Sequence, residues 1–167
     1  FEDSFLTAVY ELRELPAVFA ITANLTRRFR AEFPRAKDVS IVRAPGRVNL
    51  IGEHTDYCGL PVLPMAISRE IACCSSKRRD KKVRARNTDD TYAPFEFNIR
   101  ERIPFFEDGQ WGNYVKAAFQ GLADHFGSGT GLPGMDMVFD GNIPTGTGLS
   151  SSSALVLATA LAILSHI

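Results

Sequence analysis

Residues 141–154, Gly-Asn-Ile-Pro-Thr-Gly-Thr-Gly-Leu-Ser-Ser-Ser-Ser-Ala, constrain this chain more than any other stretch, because they carry a strand through a glycine turn into a helix that opens on four serines. The run Met-Asp-Met-Val-Phe at 135–139 reads as the strand, and the Ala- and Leu-rich run 154–164 reads as an apolar helix. Gly146 and Gly148 can take positive φ and let the backbone approach a ligand closely. The unpaired N–H groups and positive dipole end of the helix face whatever sits above the serines, which suits an anion such as phosphate. Two nucleotide motifs fail narrowly here. A Walker A loop needs Lys after its second glycine, where this chain has Thr147-Gly148, and a dinucleotide fingerprint needs a third glycine where Ser151 stands. The competing reading is a Ser-capped helix after a tight turn, although one cap needs only one serine.

A chain of 167 residues, 45% apolar, can bury a real core as one domain or a tight pair of subdomains. Its 19 basic and 19 acidic side chains cancel, so charge gives no general reason to expect nucleic acid or an anionic membrane as partner. The longest apolar run, 154–164, is broken by Thr159 and is far short of a membrane span. No basic-then-apolar signal segment opens the chain, so the expectation is a cytoplasmic protein with no membrane partner. Cys58, Cys73 and Cys74 are odd in number and two are adjacent, which suits reduced thiols. The chain begins at Phe1 without Met and stops just after an apolar helix, so its end reads as cut.

The expected architecture is mixed α/β. Residues 6–15 and 16–33 read as helices, with Pro16 in a tolerated first-turn position. Residues 39–43, 48–51, 62–67, 71–76 and 83–87 read as short strands separated by Pro, Gly and charged turns. Residues 111–126 read as a helix with Val115, Phe119 and Leu122 on one face, packed beside the serine-headed helix on one side of a mixed sheet. The basic run 77–86 fits a hairpin turn with a solvated tip; nucleic-acid contact is the alternative, and a neutral chain does not favour it.

A second polar cluster lies in residues 43–59, Arg-Ala-Pro-Gly-Arg-Val-Asn-Leu-Ile-Gly-Glu-His-Thr-Asp-Tyr-Cys-Gly. Glu53, His54 and Asp56 follow a strand-like apolar triplet and supply acceptors and a switchable donor, the chemistry a polyhydroxylated ligand asks for. A metal site is a rival, weakened by the lack of further spaced ligands, and a solvated glycine-turned loop is the other.

Residues 43–57 closely resemble the galactokinase signature, and residues 141–154 resemble the phosphate loop shared by the GHMP kinases, which phosphorylate galactose, homoserine, mevalonate and related small alcohols. The run Trp-Gly-Asn-Tyr-Val-Lys at 111–116 is similar to a segment of the same sugar kinases, so the resemblance covers nearly the whole chain from Val39 onward. Asp56-Tyr57-Cys58-Gly59 and the form of the phosphate loop are most similar to N-acetylgalactosamine kinases and their fungal galactokinase relatives; Cys58 stands where many galactokinases have Asn.

The resemblance implies an α/β (α+β) fold, a ribosomal-protein-S5-domain-2-like GHMP kinase amino-terminal domain with a mixed sheet covered by helices. It implies an ATP- and Mg2+-dependent sugar 1-kinase that transfers the γ-phosphoryl group to the anomeric hydroxyl of galactose or N-acetylgalactosamine, with Glu53, His54 and Asp56 binding the sugar hydroxyls and Arg47 beside the reacting hydroxyl and phosphoryl group. It sets the triphosphate against Gly146, Gly148, Leu149, Ser150, Ser151, Ser152 and Ser153, with Ser152 as a magnesium ligand and Trp111 and Tyr114 near the adenine. Phosphoryl transfer rests on charge neutralisation and in-line positioning, which Arg47 and a helix N-terminus supply in part. In the family the catalytic Asp, a second magnesium carboxylate and a glycine-rich third motif lie farther along. The expectation is therefore the amino-terminal half of a kinase, whose partners are a monosaccharide, ATP and the missing carboxy-terminal half. A non-catalytic galactokinase-like sensor that binds sugar and ATP and regulates a partner protein is the second reading; a plain nucleotide-binding module leaves the 53–56 cluster unexplained.

Overall fold

The computed structural model describes residues 15–52, 54–127 and 131–167. The described elements are helix α1 (Leu15–Glu32), strands β1 (Ser40–Ile51), β2 (Leu63–Arg78), β3 (Lys82–Asn87) and β4 (Phe95–Asn98), helix α2 (Gly112–Phe126), strand β5 (Gly134–Gly141) and helix α3 (Ser151–Leu164). Pro16 is the second residue of α1, where its missing N–H costs nothing. The helix expected over 6–15 lies outside the described residues except for Leu15.

The five strands form one sheet in the order β1-β2-β5-β3-β4. All neighbours run antiparallel except β3 and β5, which are parallel, so the sheet is mixed as the sequence implied. Side chains alternate across it. Cys73, Met135, Met137 and Phe139 point to one face, where they pack with Val115 and Phe119 of α2 and Ala158 and Ile163 of α3. Ala72, Cys74 and Val138 point to the other, where Leu25 and Phe29 of α1, one turn apart, and Phe33 close over them. The result is three layers, helix α1, sheet, and the α2–α3 pair. Phe29 and Phe119 are fully buried on opposite faces, and truncating either to Ala costs about 3–5 kcal/mol. The adjacent cysteines belong to different layers. Burial pushes both thiols up, Cys74 to about 12, which keeps them protonated and inert; all three cysteines are free.

Three expectations change. The strands read at 39–43 and 48–51 are one strand, β1, whose register against β2 shifts between Pro45 and Arg47; the pair at 62–67 and 71–76 likewise fuses into β2. Strand β4 was not anticipated. The basic run does not turn a hairpin: β2 and β3 are joined through residues 79–81, but β5 lies between them. The connection straddles the first residue of β5, where the Gly134 N–H donates to the Asp80 carbonyl at 3.0 Å. A Cβ on Gly134 would collide with the carbonyl oxygens of Asp80 and Lys82, so only glycine fits. Arg78 of β2 and Arg84 of β3 then grip one carboxylate, Asp136 of β5, at 3.0 Å and 2.6 Å respectively. Two of the run's cations are thus internal ion-pair partners, while the tip at Arg79 and Asp80 is exposed.

Candidate functional site

The loop from β5 to α3 behaves as its glycines require. Gly146 and Gly148 have φ of 72° and 75°, and Ser150, immediately before the helix, has φ of 60°. A left-handed serine is strained by about 1–3 kcal/mol, and such strain gathers where a loop is shaped for a ligand. Ser150 is the N-cap of α3, yet its side chain makes no capping bond; only its carbonyl is engaged, accepting the Ala154 N–H at 3.0 Å. The Ser-capped-helix reading therefore fails. None of the hydroxyls of Ser150, Ser151, Ser152 and Ser153 is bonded to another described residue, and the first-turn N–H groups have no acceptor within the helix. The neighbouring Thr147 differs: its hydroxyl donates to the Pro144 carbonyl at 2.9 Å and holds the turn.

The β1 irregularity brings the second cluster to this helix head. Gly46 is buried against the loop, and a Cβ there would lie 2.9 Å from the Leu149 carbonyl oxygen. The next residue, Arg47, donates its backbone N–H to that same carbonyl at 3.1 Å. Its side chain enters a cavity of about 420 Å³ shared with Asn49, His54, Asp56 and Tyr57, whose opposite wall is Gly148, Leu149 and the four serines. His54 has φ of 57° and is followed by a short 3-10 turn, Asp56–Cys58, closed by the Gly59 N–H on the Asp56 carbonyl at 3.0 Å. The rings of His54 and Tyr57 meet edge-on at 6.2 Å. Arg47, His54 and Asp56 thus line one cavity. Glu53 lies outside the described residues. Among the described residues no group of three His, Cys, Asp or Glu could hold a metal.

On the other side of the serines is a cavity of about 700 Å³ lined by Trp111 and Tyr114 together with Tyr92, Asn87 and Asp89. Trp111 is fixed: its indole N–H donates to the Ala93 carbonyl at 2.9 Å and its ring meets Phe95 at 4.6 Å and Phe139 at 5.7 Å. Gly112 lets the chain turn into α2 there, since a Cβ would press on the Phe106 and Phe95 rings at 2.8 and 2.9 Å. Pro144, Gly146, Ser151 and Ser152 line both cavities, so the head of α3 is the wall between them. Gly148, Leu149, Ser150 and Ser153 border the Arg47 side alone.

Asn49 and Tyr57, which sit inside the motif at 43–59, were overlooked, and Tyr92 and Asp89 carry no motif that could have marked them. A larger open depression, about 1140 Å³, lies at the opposite end of the sheet. It has no glycine cradle, and two of its guanidinium groups, Arg78 and Arg84, already hold Asp136, so it does not compete as the site.

Comparison with known proteins agrees with this geometry. Residues 27–77 match the galactokinase galactose-binding signature, and residues 113–167 match the amino-terminal domain of GHMP kinases. The chain belongs to the GHMP kinase superfamily. Within it the relationship is to the galactokinase family. The chain is 39% identical over 147 residues to a galactokinase of Candida parapsilosis, covering 85% of this chain and 29% of that one. A crystal structure of Lactococcus lactis galactokinase complexed with galactose superposes with a TM-score of 0.74 at 34% identity, covering 83% of this chain and 35% of that one. Methanococcus jannaschii mevalonate kinase shares the fold, with a TM-score of 0.60 at 22% identity over 78% of this chain and 40% of that one. The chain thus spans about a third of the length of the galactokinases it matches. No helix among the described residues is long and apolar enough to cross a membrane.

Proposed function

We propose that this chain is the amino-terminal domain of an ATP-dependent sugar kinase that transfers the γ-phosphoryl group of ATP to the anomeric hydroxyl of galactose. One observation carries the reading: unspent serine hydroxyls and helix N–H groups form the wall between a cavity with aromatic sides and a cavity with a guanidinium and a carboxylate. A nucleotide whose base lies against Trp111 and Tyr114 would extend its phosphates over Gly146, Ser151 and Ser152 toward Arg47. A sugar beside His54 and Asp56 would offer a hydroxyl to the terminal phosphate from the far side. Donors fixed in advance at the transferring phosphate, here Arg47 and the amides of α3, are what such a reaction needs.

Ser152 fits the expected magnesium role in chemistry: a hydroxyl facing both cavities can supply one oxygen, and Mg2+ commonly completes its shell with phosphate and water. Magnesium bound there would neutralise phosphate charge. The described part of the Arg47 cavity holds one carboxylate, Asp56, at its exposed rim; on this reading the base for the sugar hydroxyl belongs to a carboxy-terminal half of the kinase.

The test is galactose-dependent release of ADP by the full-length protein. Arg47→Lys should lower kcat and kcat/KM together while KM for galactose changes little, because the planar, two-pronged guanidinium that lysine cannot reproduce acts as the phosphoryl group moves. Sugar and nucleotide binding with no phosphoryl transfer in the unmodified protein would overturn the enzyme reading in favour of a sensor. A fall in Tm with unchanged turnover per folded molecule would make Arg47 scaffold.

A further inference from the structure

The phosphate loop is tied to the sheet at both of its ends, and the two ties lead to the same strand. At its end, Leu149 accepts the Arg47 N–H of β1. At its start, Asn142 prolongs the β2–β5 ladder past the last strand pair, Ile71 with Gly141. The Asn142 N–H donates to the Glu70 carbonyl at 3.1 Å, and the Asn142 side-chain oxygen accepts the Glu70 N–H at 2.8 Å. Glu70 is 3% exposed, and its carboxylate is held by Arg43 of β1, whose Nε donates to Oε1 at 2.9 Å. Arg43 stands four residues before Arg47 on the other side of the β1 irregularity. The circuit from Asn142 through Glu70, Arg43 and Arg47 to Leu149 therefore closes on the loop it began from.

Building on the kinase reading above, we infer that Asn142 is a positioning residue that, through Glu70 and Arg43, sets the loop against Arg47. Its side-chain amide makes a backbone-like bond that a smaller residue cannot replace, and Glu70 offers no slack because burial of an unpaired carboxylate is costly. Asn142 also lines the aromatic cavity, so a shift at the loop's start moves the nucleotide wall and the Arg47 wall relative to each other. A misplacement of about 1 Å in such a reaction lowers the rate by about a hundredfold without removing any contact to the ligands.

The test uses Asn142→Ala and Asn142→Asp in the full-length protein, with two readouts. Amide hydrogen exchange followed by NMR should show the Arg47 N–H exchanging at least tenfold faster in Asn142→Ala, with the Met137 N–H in the sheet unchanged; Asn142→Asp, which keeps the acceptor oxygen, should restore protection. In turnover, Asn142→Ala should lower kcat at least tenfold with KM for galactose and ATP within about twofold. Unchanged exchange at Arg47, or equal acceleration at Met137, would overturn the inference. The exchange arm needs no ligand, so it decides even where turnover is absent and the kinase reading itself falls.

Discussion

The backbone N–H of Arg47 and the carbonyl of Leu149, 3.1 Å apart, join the Arg47, His54 and Asp56 cluster to the loop before α3 across a gap that only glycine permits. Gly46 sits at that approach, with Ile67 and Ile143 side-chain atoms 3.1 and 3.2 Å from where a Cβ would be. Gly46→Ala should therefore push β1 and the loop apart, costing about 1–3 kcal/mol of stability as overpacking does. Denaturant unfolding measures the loss, and titration of the folded variant should show weaker binding of both galactose and nucleotide. Loss of one ligand alone would mean that the contact does not couple the two cavities.

Asp56 faces only the smaller cavity, and Tyr114 only the larger. Asp56→Ala should weaken galactose binding by about 1–3 kcal/mol, the cost of leaving a hydroxyl without its acceptor, and leave nucleotide affinity nearly unchanged. Tyr114→Ala should do the reverse. Calorimetric titration of each variant with each ligand checks the pair, and equal losses for both ligands would show the cavities misassigned.

His166 links the end of α3 to the sheet, its Nε2 lying 3.0 Å from the Ser40 hydroxyl and 3.1 Å from that of Ser75. Burial pushes its pKa below the ordinary 6.5 against the opposing hydrogen bond with Ser75, with Lys77 acting in the same direction as burial and Asp38 against it. The unfolded chain thus takes up the proton first as pH falls, so stability is full above about 6.5 and declines below it. Thermal unfolding at pH 7.5 and 5.0 should show that decline, reduced in His166→Gln. A variant that loses stability as steeply as the wild type would place the effect elsewhere. Asp80, whose carboxyl Arg78 holds down to about 2, titrates in a lower window and does not confound the test.

The sequence revealed the layers and the two motifs because both are local signals. The short run of small and apolar residues at 71–74 and the helical spacing of Val115, Phe119 and Leu122 each report burial. What was missed is non-local. Nothing in 77–86 announces that β5, some 50 residues later, inserts between β2 and β3, although Gly134 is the residue that permits it. The fusion into β1 was hidden because Pro45-Gly46 reads as a stop and folds as a bulge. Strand β4 is only four residues long, and its Phe95 and Phe97 could equally have been loop anchors. At the site, Arg47, His54 and Asp56 sit in one motif and so were legible, whereas Tyr92 reaches the aromatic cavity from a β3–β4 turn that has no pattern of its own.

On the proposed function, the head of α3 receives phosphates between a nucleotide cavity and a sugar cavity. Amide chemical shifts of the isotopically labelled full-length protein test it most directly, by titration with a non-hydrolysable ATP analogue plus magnesium and, separately, with galactose. The nucleotide should move the amides of Trp111, Tyr114, Ser151 and Ser152, and galactose those of Arg47, His54 and Asp56; adding both should shift Ser151 and Ser152 further than the nucleotide alone. Nucleotide binding that leaves Ser151 and Ser152 unmoved would contradict the claim.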